Sequence, residues 1–339
     1  MKRARPPLLR HRAASRHSGR VPGRRLALAA AAAAIGGTLA IACTSPIAQT
    51  SQAIRLAGFN PLAAALAQTM GERFPDLRFE LVSRPGTVSG GVANAQALQH
   101  GNADLALTFA NVAYTGYIGR LDDSPGRLDS VRGIAVLYLT PMHLVVRGDS
   151  PVRSLADLKG RIVAAGQRGS GTPLTAALAL RAAGVSDDDI SQRWLTFAEA
   201  ADRLVSGELD AMFVNQGYPS DAVRTAMQAG ARLLDLAGPA IERLRAEYPF
   251  LRAALIPENT YPGQRRAVRT IGIDTLLVSR AGLDEALVYR LTQGLFATLP
   301  TLATRVTALR RMELERAAAM PIPLHPGAAR YYREQELSR

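Results

Sequence analysis

The chain has a single cysteine, Cys43, among its 339 residues. One thiol excludes an internal disulfide. Aromatic residues make up only 5% of the sequence, and no stretch interleaves them with basic residues. The stacking platforms that bind single-stranded nucleic acid are therefore not indicated, and no nucleic-acid partner is expected.

Long apolar runs are also scarce. Residues 26–42 are uncharged and rich in Ala and Leu, but the run is shorter than the roughly 20 residues that a spanning helix needs. Nine Lys and Arg residues and no acid stand in the 25 residues before it. This is the layout of an export signal, residues 1–42, removed from a periplasmic or extracytoplasmic protein. A retained membrane anchor is the alternative.

Two features near this segment concern export and anchoring. Arg24-Arg25 form a partial twin-arginine pattern, so both the Sec and the twin-arginine routes stay open. Cys43 follows Ala42 directly, where a lipoprotein signal places its acylated cysteine, although Ala40 stands where such signals usually have Leu. Lipidation of Cys43 and a free thiol are both open.

The positive charge is concentrated in the same segment. The whole chain carries 41 basic and 28 acidic residues and a formal charge of +13. Without the first 25 residues, 32 basic residues face 28 acidic ones, a balance near +4. The basic character therefore indicates targeting rather than a surface for nucleic acid.

Residues for metal binding or covalent catalysis are sparse. Outside the leader, the histidines are His100, His143 and His325, which lack the spacing of a zinc site. The Gly-Ser-Gly at 169–171 lacks the flanking pattern of a nucleophile elbow. We expect no catalytic residues, no metal and no cofactor, and we interpret His143 as a packed residue.

One pattern occurs twice, about a hundred residues apart. A helix-like run ends at Gly101, Asp104 follows, and an apolar strand covers 105–109; Gly207, Asp210 and a strand over 211–214 repeat the arrangement. A Gly with positive φ can end each helix, and we expect the two Asp residues to bind turn amides. Both strands end in small polar residues. Because open α/β sheets bind ligands beyond the carboxyl ends of their strands, two lobes facing one cleft are predicted.

The sharpest chemical feature is the loop at 166–173, Gly-Gln-Arg-Gly-Ser-Gly-Thr-Pro. It leaves a strand predicted over 161–165 and enters a helix over 174–183, with Thr172 as the expected cap and Pro173 at the first helical position. Backbone amides at such a helix start suit an anionic group, for which we expect a carboxylate. A turn without ligand is the alternative. The P-loop and dinucleotide fingerprints do not fit, because Lys and the third Gly are missing.

The rest of the chain reads as alternating strands and helices, which favours an α/β fold with parallel strands. Strands are expected over 54–57 and 77–83, a helix over 61–74, and helices near 284–299 and 302–319. The apolar stretch 131–147 is expected to form a pair of strands broken at Thr140-Pro141, so the chain should turn or change sheet there. A return crossing is expected in 269–279. The two crossings define lobe I (53–141 with 272–339) and lobe II (142–271), joined by a two-strand hinge.

Four segments carry a resemblance to a known family. They are LADLKGRIVAAGQRGSGT at 155–172, SGELDAMFVNQGYPS at 206–220, IPENTYPGQ at 256–264 and PLHPGAARYYRE at 323–334. In this order they resemble the TAXI-type solute receptors of tripartite ATP-independent periplasmic (TRAP) transporters. The resemblance covers nearly all of the chain after the leader. It implies a type II periplasmic-binding-protein clamshell, monomeric, that binds a small organic acid and passes it to integral membrane permease subunits.

The chain departs from that family at the expected site. Its first loop is cut to Gly58-Phe59-Asn60-Pro61, Gly91 stands where the family has a Ser hydroxyl, and an Asp common in the family is Asn111. The ligand therefore cannot be carried over. A module that presents its ligand to a membrane sensor and a periplasmic enzyme on the same fold remain alternative functions.

The residues expected to line the cleft come from both lobes. They are Phe59, Asn60, Thr87, Ser89, Thr108 and Asn111 on one side, with Arg168, Gly169, Ser170, Gly171, Thr172, Asn215, Gln216, Gly217 and Tyr218 on the other. Arg168 could pair with a carboxylate through its planar fork.

Overall fold

The computed structural model describes residues 51–82, 90–121 and 126–337. Ten strands form one mixed sheet in this part of the chain. They are β1 (Gln52–Ala57), β2 (Leu77–Val82), β3 (Leu105–Phe109), β4 (Val131–Val146), β5 (Ile162–Ala164), β6 (Ser191–Arg193), β7 (Ala211–Asn215), β8 (Arg232–Leu234), β9 (Leu251–Ile256) and β10 (Val268–Arg280).

The helices cover both faces of this sheet. They are α1 (Leu62–Arg73), α2 (Gly91–Gln99), α3 (Ala110–Tyr117), α4 (Thr172–Ala182), α5 (Phe197–Val205), α6 (Asp221–Gln228), α7 (Pro239–Glu247), α8 (Glu285–Arg305) and α9 (Pro326–Leu337). No helix in the described ranges combines the length and apolar character that a membrane crossing requires.

The strand order is β2-β1-β3-β10-β4-β7-β5-β6, with β8 beside β4 and β9 beside β10. The outer strands on each side pair in parallel, whereas β4 and β10 are antiparallel to their neighbours. The sheet therefore has a first half around β1 and β3 and a second half around β5 and β7. This is an α/β fold of two lobes, as expected for a clamshell.

β4 crosses from one half to the other without interruption. It pairs with β10 up to Pro141, and from Met142 onward it pairs with β7. The expected change of partner at Pro141 is therefore present, although 131–146 is one strand of 16 residues rather than two. The lobe boundaries drawn from it stay a prediction.

The repeated Gly-Asp pattern has the same structure in both halves. Gly101 and Gly207 have φ of +70° and +85° at the ends of α2 and α5. The Asp104 carboxylate accepts from the backbone N–H of Arg55, 3.0 Å away, and the Asp210 carboxylate accepts from that of Ile162 at 2.9 Å. Each Asp thus fixes the adjacent parallel strand rather than a turn, which corrects the expected role.

Asp104 has a second function in the first half. Its carboxylate also accepts from the guanidinium groups of Arg55 and Arg280, so it joins β1, β3 and β10. Burial opposes ionisation, but the hydrogen bonds from the two arginines outweigh it and lower the pKa of Asp104. The ion pairs of Asp104 with Arg55 and Arg280 therefore lie at the end of the strands opposite the predicted cleft.

Three groups of apolar side chains form the core. A central cluster includes Val92, Val112, Ala176 and Phe213. An α1–α8 cluster includes Leu66, Leu107 and Leu291 and belongs to the first half. An α5–α6 cluster includes Leu204, Val214 and Tyr261 and belongs to the second half. The central cluster thus has members from both halves.

The end of the chain differs from the expected pair of helices. α8 continues through Pro300 to Arg305, and short 3₁₀ turns at Thr307–Arg311 and Leu314–Arg316 replace the helix expected over 302–319. A proline removes one helical hydrogen bond, but the buried side chains of α8 continue to Leu302, beyond the proline. Packing therefore overrides the local signal.

Candidate functional site

Two glycine-containing segments from the two halves touch each other. A Cβ atom on Gly90 would lie 2.5 Å from the carbonyl oxygen of Gly169, and one on Gly171 would lie 3.1 Å from the amide group of Asn111. At Gly90 only glycine permits this approach of two backbones, whereas the neighbour of Gly171 is a side-chain amide. The loop at 166–172 therefore faces the starts of α2 and α3.

Three helices begin at this contact: α2 at Gly91, α3 at Ala110 and α4 at Thr172. None of the three N-cap residues caps its helix through a side chain, although in α3 the Asn111 side chain accepts from the first-turn N–H of Val112. Thr172 is the first residue of α4 and Gly171 is its N-cap, so the expected capping role of Thr172 was wrong. Uncapped amides and the positive ends of the helix dipoles favour an anion in such a place.

Asn111 joins the two halves directly. Its Nδ2 donates to the Gly171 carbonyl at 2.8 Å and to Thr175 Oγ1 at 2.9 Å, and its Oδ1 accepts from the N–H of Val112. Thr108, also predicted for the cleft, donates its hydroxyl to the Gly91 carbonyl. In this conformation both side chains bind protein groups, and their predicted ligand contacts stay predictions.

Asn215 is the one buried asparagine of the described residues whose side-chain amide makes no hydrogen bond. Only 5% of the residue is exposed, and neither Nδ2 nor Oδ1 has a hydrogen-bond partner. Side chains alternate along β7, so Asn215 shares the sheet face of Phe213. Phe213 belongs to the central cluster, which also contains residues of α2, α3 and α4. The unpaired amide therefore lies on the face where the three helices begin.

A hydrogen-bonded chain behind β7 fixes the loop that follows Asn215. The Tyr261 hydroxyl accepts from the N–H of Ser220 and donates to His143 Nε2, both at 2.9 Å. His143 Nδ1 lies 3.1 Å from the Val214 carbonyl, so Nδ1 carries the proton. Burial lowers the pKa of His143 to about 4. His143 is thus a neutral structural residue, in agreement with its interpretation as packed.

Aromatic rings hold several groups around the site. Phe59 stacks on Phe109 with ring centres 5.2 Å apart. The Arg168 guanidinium lies 4.4 Å from the ring of Trp194, and that of Arg311 lies 4.2 Å from the ring of Tyr218. Arg168 therefore rests on an exposed indole here, and its pairing with a ligand carboxylate stays a prediction.

With this geometry in place, comparison with known proteins identifies the family. The profile of the NMT1-like family matches residues 59–335, which is most of the chain. The chain belongs to the NMT1-like family. The match is not specific to TAXI receptors, so that finer assignment is left to the proposals below.

A protein of Escherichia coli (strain K12), named as an aliphatic sulfonates-binding protein, is 27% identical over 213 residues. That alignment covers 59% of this chain and 60% of the relative. The chain therefore spans less than two thirds of the relative that it matches.

Solved structures show the fold. MatC from Rhodopseudomonas palustris with bound malate is 18% identical, with a TM-score of 0.52, and covers 84% of this chain and 97% of MatC. A Xanthomonas citri protein bound to ATP is 17% identical, with a TM-score of 0.50, over 85% and 96% of the two chains. At this identity the likeness concerns architecture alone.

The residues predicted for the site of this NMT1-like chain have different outcomes. Ser170 is partly buried and donates its hydroxyl to the Gln167 carbonyl. Gln216 accepts from the Ser220 hydroxyl and is otherwise exposed, as is Asn60. Thr87, Ser89 and Cys43 lie outside the described residues. The ligand contacts of all these residues remain predictions.

Four contributors were not found from the sequence: Gly90, Trp194, Tyr261 and Arg311. Only Gly90 carried a usable signal, because a Gly-Gly pair before a helix permits close approach of another backbone. The others act through contacts between distant segments. Among the described residues, no three His, Cys, Asp or Glu side chains are grouped as a metal site would require.

Proposed function

We propose that this protein is an extracytoplasmic solute-binding protein that captures a small organic anion between its two lobes and delivers it to a membrane transporter. The observation that carries the proposal is the buried, unpaired amide of Asn215 on the face where α2, α3 and α4 begin. A buried amide without partners costs about 1–3 kcal/mol. A ligand that pairs with it offsets that cost, while the helix starts favour negative charge.

The ligand class is a carboxylate or a sulfonate. The three helix starts suit either anion, since both accept hydrogen bonds through two or three oxygens. The name of the Escherichia coli relative supports a sulfonate, whereas the resemblance of 155–172 and 206–220 to TAXI receptors supports a carboxylic or amino acid. Asn215 offers a donor and an acceptor without charge, which suits a polar neutral group beside the anionic one.

The experiment is calorimetric titration of the purified protein with malate, succinate, glutamate, ethanesulfonate and taurine. Binding of at least one anion, and its loss in Ser170→Trp, is the expected result, because a bulky side chain at 170 blocks the loop that starts α4. Ser206→Trp is the matched control, since residue 206 is an exposed end of α5. Failure of every anion to bind would refute the proposal.

The transporter partner is a separate part of the proposal. The TAXI resemblance favours TRAP-type permease subunits, which do not use ATP, and an ATP-driven transporter is the alternative. Uptake of the identified ligand in cells depleted of ATP but with their ion gradients intact distinguishes the two. Continued uptake supports the TRAP type, and its loss supports the ATP-driven type.

A further inference from the structure

The segment after α8 contacts Tyr218, a residue predicted to line the cleft. It runs over 306–317, and the side chains of Val306, Leu309 and Met312 anchor it in the α1–α8 cluster of the first half. Its two 3₁₀ turns present charged side chains outward. The segment is thus fixed to the first half by its apolar residues.

Two arginine contacts join this segment to the second half or its edge. The Arg311 guanidinium lies over the ring of Tyr218, 4.2 Å from its centre. Arg252, on β9, donates to Glu313 at 2.8 and 3.0 Å and to Asp274 on β10 at 2.8 Å. Of the two, only the Arg311 contact involves a residue predicted to line the cleft.

Tyr218 is itself held firmly in the second half. It packs against the α5–α6 cluster, and its loop is tied down two residues later, where the N–H of Ser220 donates to Tyr261. Arg311 and Tyr218 therefore connect two separate cores. Movement of the halves apart would break their contact, because each partner is fixed to its own half.

Arg311 has no neutralising partner. No carboxylate of the described residues lies within ion-pair distance of it, whereas the neighbouring segment residue Arg316 pairs with Glu313 at 3.4 Å. An exposed guanidinium without a carboxylate is usually mobile, but an aromatic face holds this one in place. A fixed, unpaired positive charge thus lies beside the loop that follows Asn215.

We propose that Arg311 is a ligand-retaining residue: its stack on Tyr218 holds the two halves closed around the bound anion. The inference rests on the proposed function and adds to it a residue from the C-terminal segment. A contact made only in the closed form raises ligand affinity by the amount that it stabilises that form. It should act mainly on the rate of ligand release.

The test compares Arg311→Gln with Arg310→Gln. Arg310 is the matched control, because it is exposed, carries the same charge in the same turn and donates instead to the Ala303 carbonyl. For the best anion of the calorimetric panel, Arg311→Gln should weaken affinity about three- to tenfold, mostly through faster release in stopped-flow measurements. Arg310→Gln should stay within about twofold of the unmodified protein on the same scale.

A double variant separates the clasp from a general loss of charge. If Arg311 acts through the ring, Arg311→Gln and Tyr218→Leu remove the same contact. The double variant should then release ligand no faster than the faster-releasing of the two single variants. Independent, additive effects of the two substitutions would overturn the clasp. Equal affinities for Arg311→Gln and Arg310→Gln would overturn it as well.

Small-angle scattering without ligand keeps the two proposals distinguishable. Arg311→Gln, but not Arg310→Gln, should increase the radius of gyration, because the closed form is less populated. If no anion binds the unmodified protein, the proposed function fails and the scattering result alone decides the clasp. An unchanged radius of gyration in that case rejects it.

Discussion

Substitution of Asn215 by Leu should stabilise the protein and weaken ligand binding. Leu has the same branching at Cγ but no polar atom. Because neither polar atom of the Asn215 side chain has a partner, removal of the amide should raise the free energy of unfolding by about 1–3 kcal/mol. For a chain of this size, each kcal/mol corresponds to about 2–4 °C in Tm. Ligand affinity should fall by at least tenfold, because the ligand loses its buried partner.

The assay is thermal and denaturant unfolding without ligand, together with calorimetric titration of each variant. Asn111→Leu is the control, because the Asn111 amide is fully paired with Gly171, Thr175 and Val112. That variant should lose about 2–4 kcal/mol. The smaller variant Asn215→Val shows whether a loss of ligand affinity in Asn215→Leu comes from the shape of the new side chain or from the missing amide. If both variants at 215 destabilise the protein by more than about 1 kcal/mol, the amide has native partners and the reasoning is refuted.

Three further predictions follow from described contacts. The pKa of His143 is lowered to about 4 from 6.5, so its contribution to stability is present above pH 6.5 and is lost as the pH falls toward 4, because the unfolded chain takes up the proton first. Over this pH range, denaturant titrations should show the protein losing about 3 kcal/mol more in free energy of unfolding than the His143→Phe variant loses. Equal losses in the two proteins would contradict the assignment of His143 as a buried neutral residue. Asp104→Ala should cost about 2–3 kcal/mol, since it removes the partner of the Arg55 N–H and the hydrogen bonds from two guanidinium groups that are each about a third exposed. Asp210→Ala should cost about 1–2 kcal/mol, and the reverse order in urea unfolding would be inconsistent with this assignment. Gly90→Ala should weaken anion binding about tenfold or more, since its Cβ meets the Gly169 carbonyl, and unchanged affinity would show that the halves need not touch.

Much of the fold could be predicted from local patterns. Gly101 and Gly207 end their helices with positive φ, and β3 and β7 begin one residue after Asp104 and Asp210. The spacing of apolar residues, together with Gly and Asp residues at the ends of segments, predicts such elements directly from the sequence. Helix starts were less well predicted: Thr172 is not a cap, because Gly171 takes that position at the contact with Asn111.

The parts of the site that were missed depend on distant segments. His143 and Tyr261 are 118 residues apart in sequence, and neither residue type nor spacing indicates their bond. The stack of Arg311 on Tyr218 also joins segments that only the folded sheet brings together. Asn215 was predicted from its place at a strand end, but its lack of partners is visible only in three dimensions.

The proline at the partner change of β4 has a mechanical consequence. Pro141 pairs with Gly272 at the last position shared with β10, and Met142 begins the pairing with β7. A pyrrolidine ring fixes φ and offers no amide hydrogen. The β4 connection between the halves is therefore stiff at Pro141. Because Pro141 donates no backbone hydrogen bond, rotation of the neighbouring residues breaks none at that position. Bending is therefore confined to the backbone torsions that flank Pro141. The two halves should rotate about a defined hinge axis rather than in several directions.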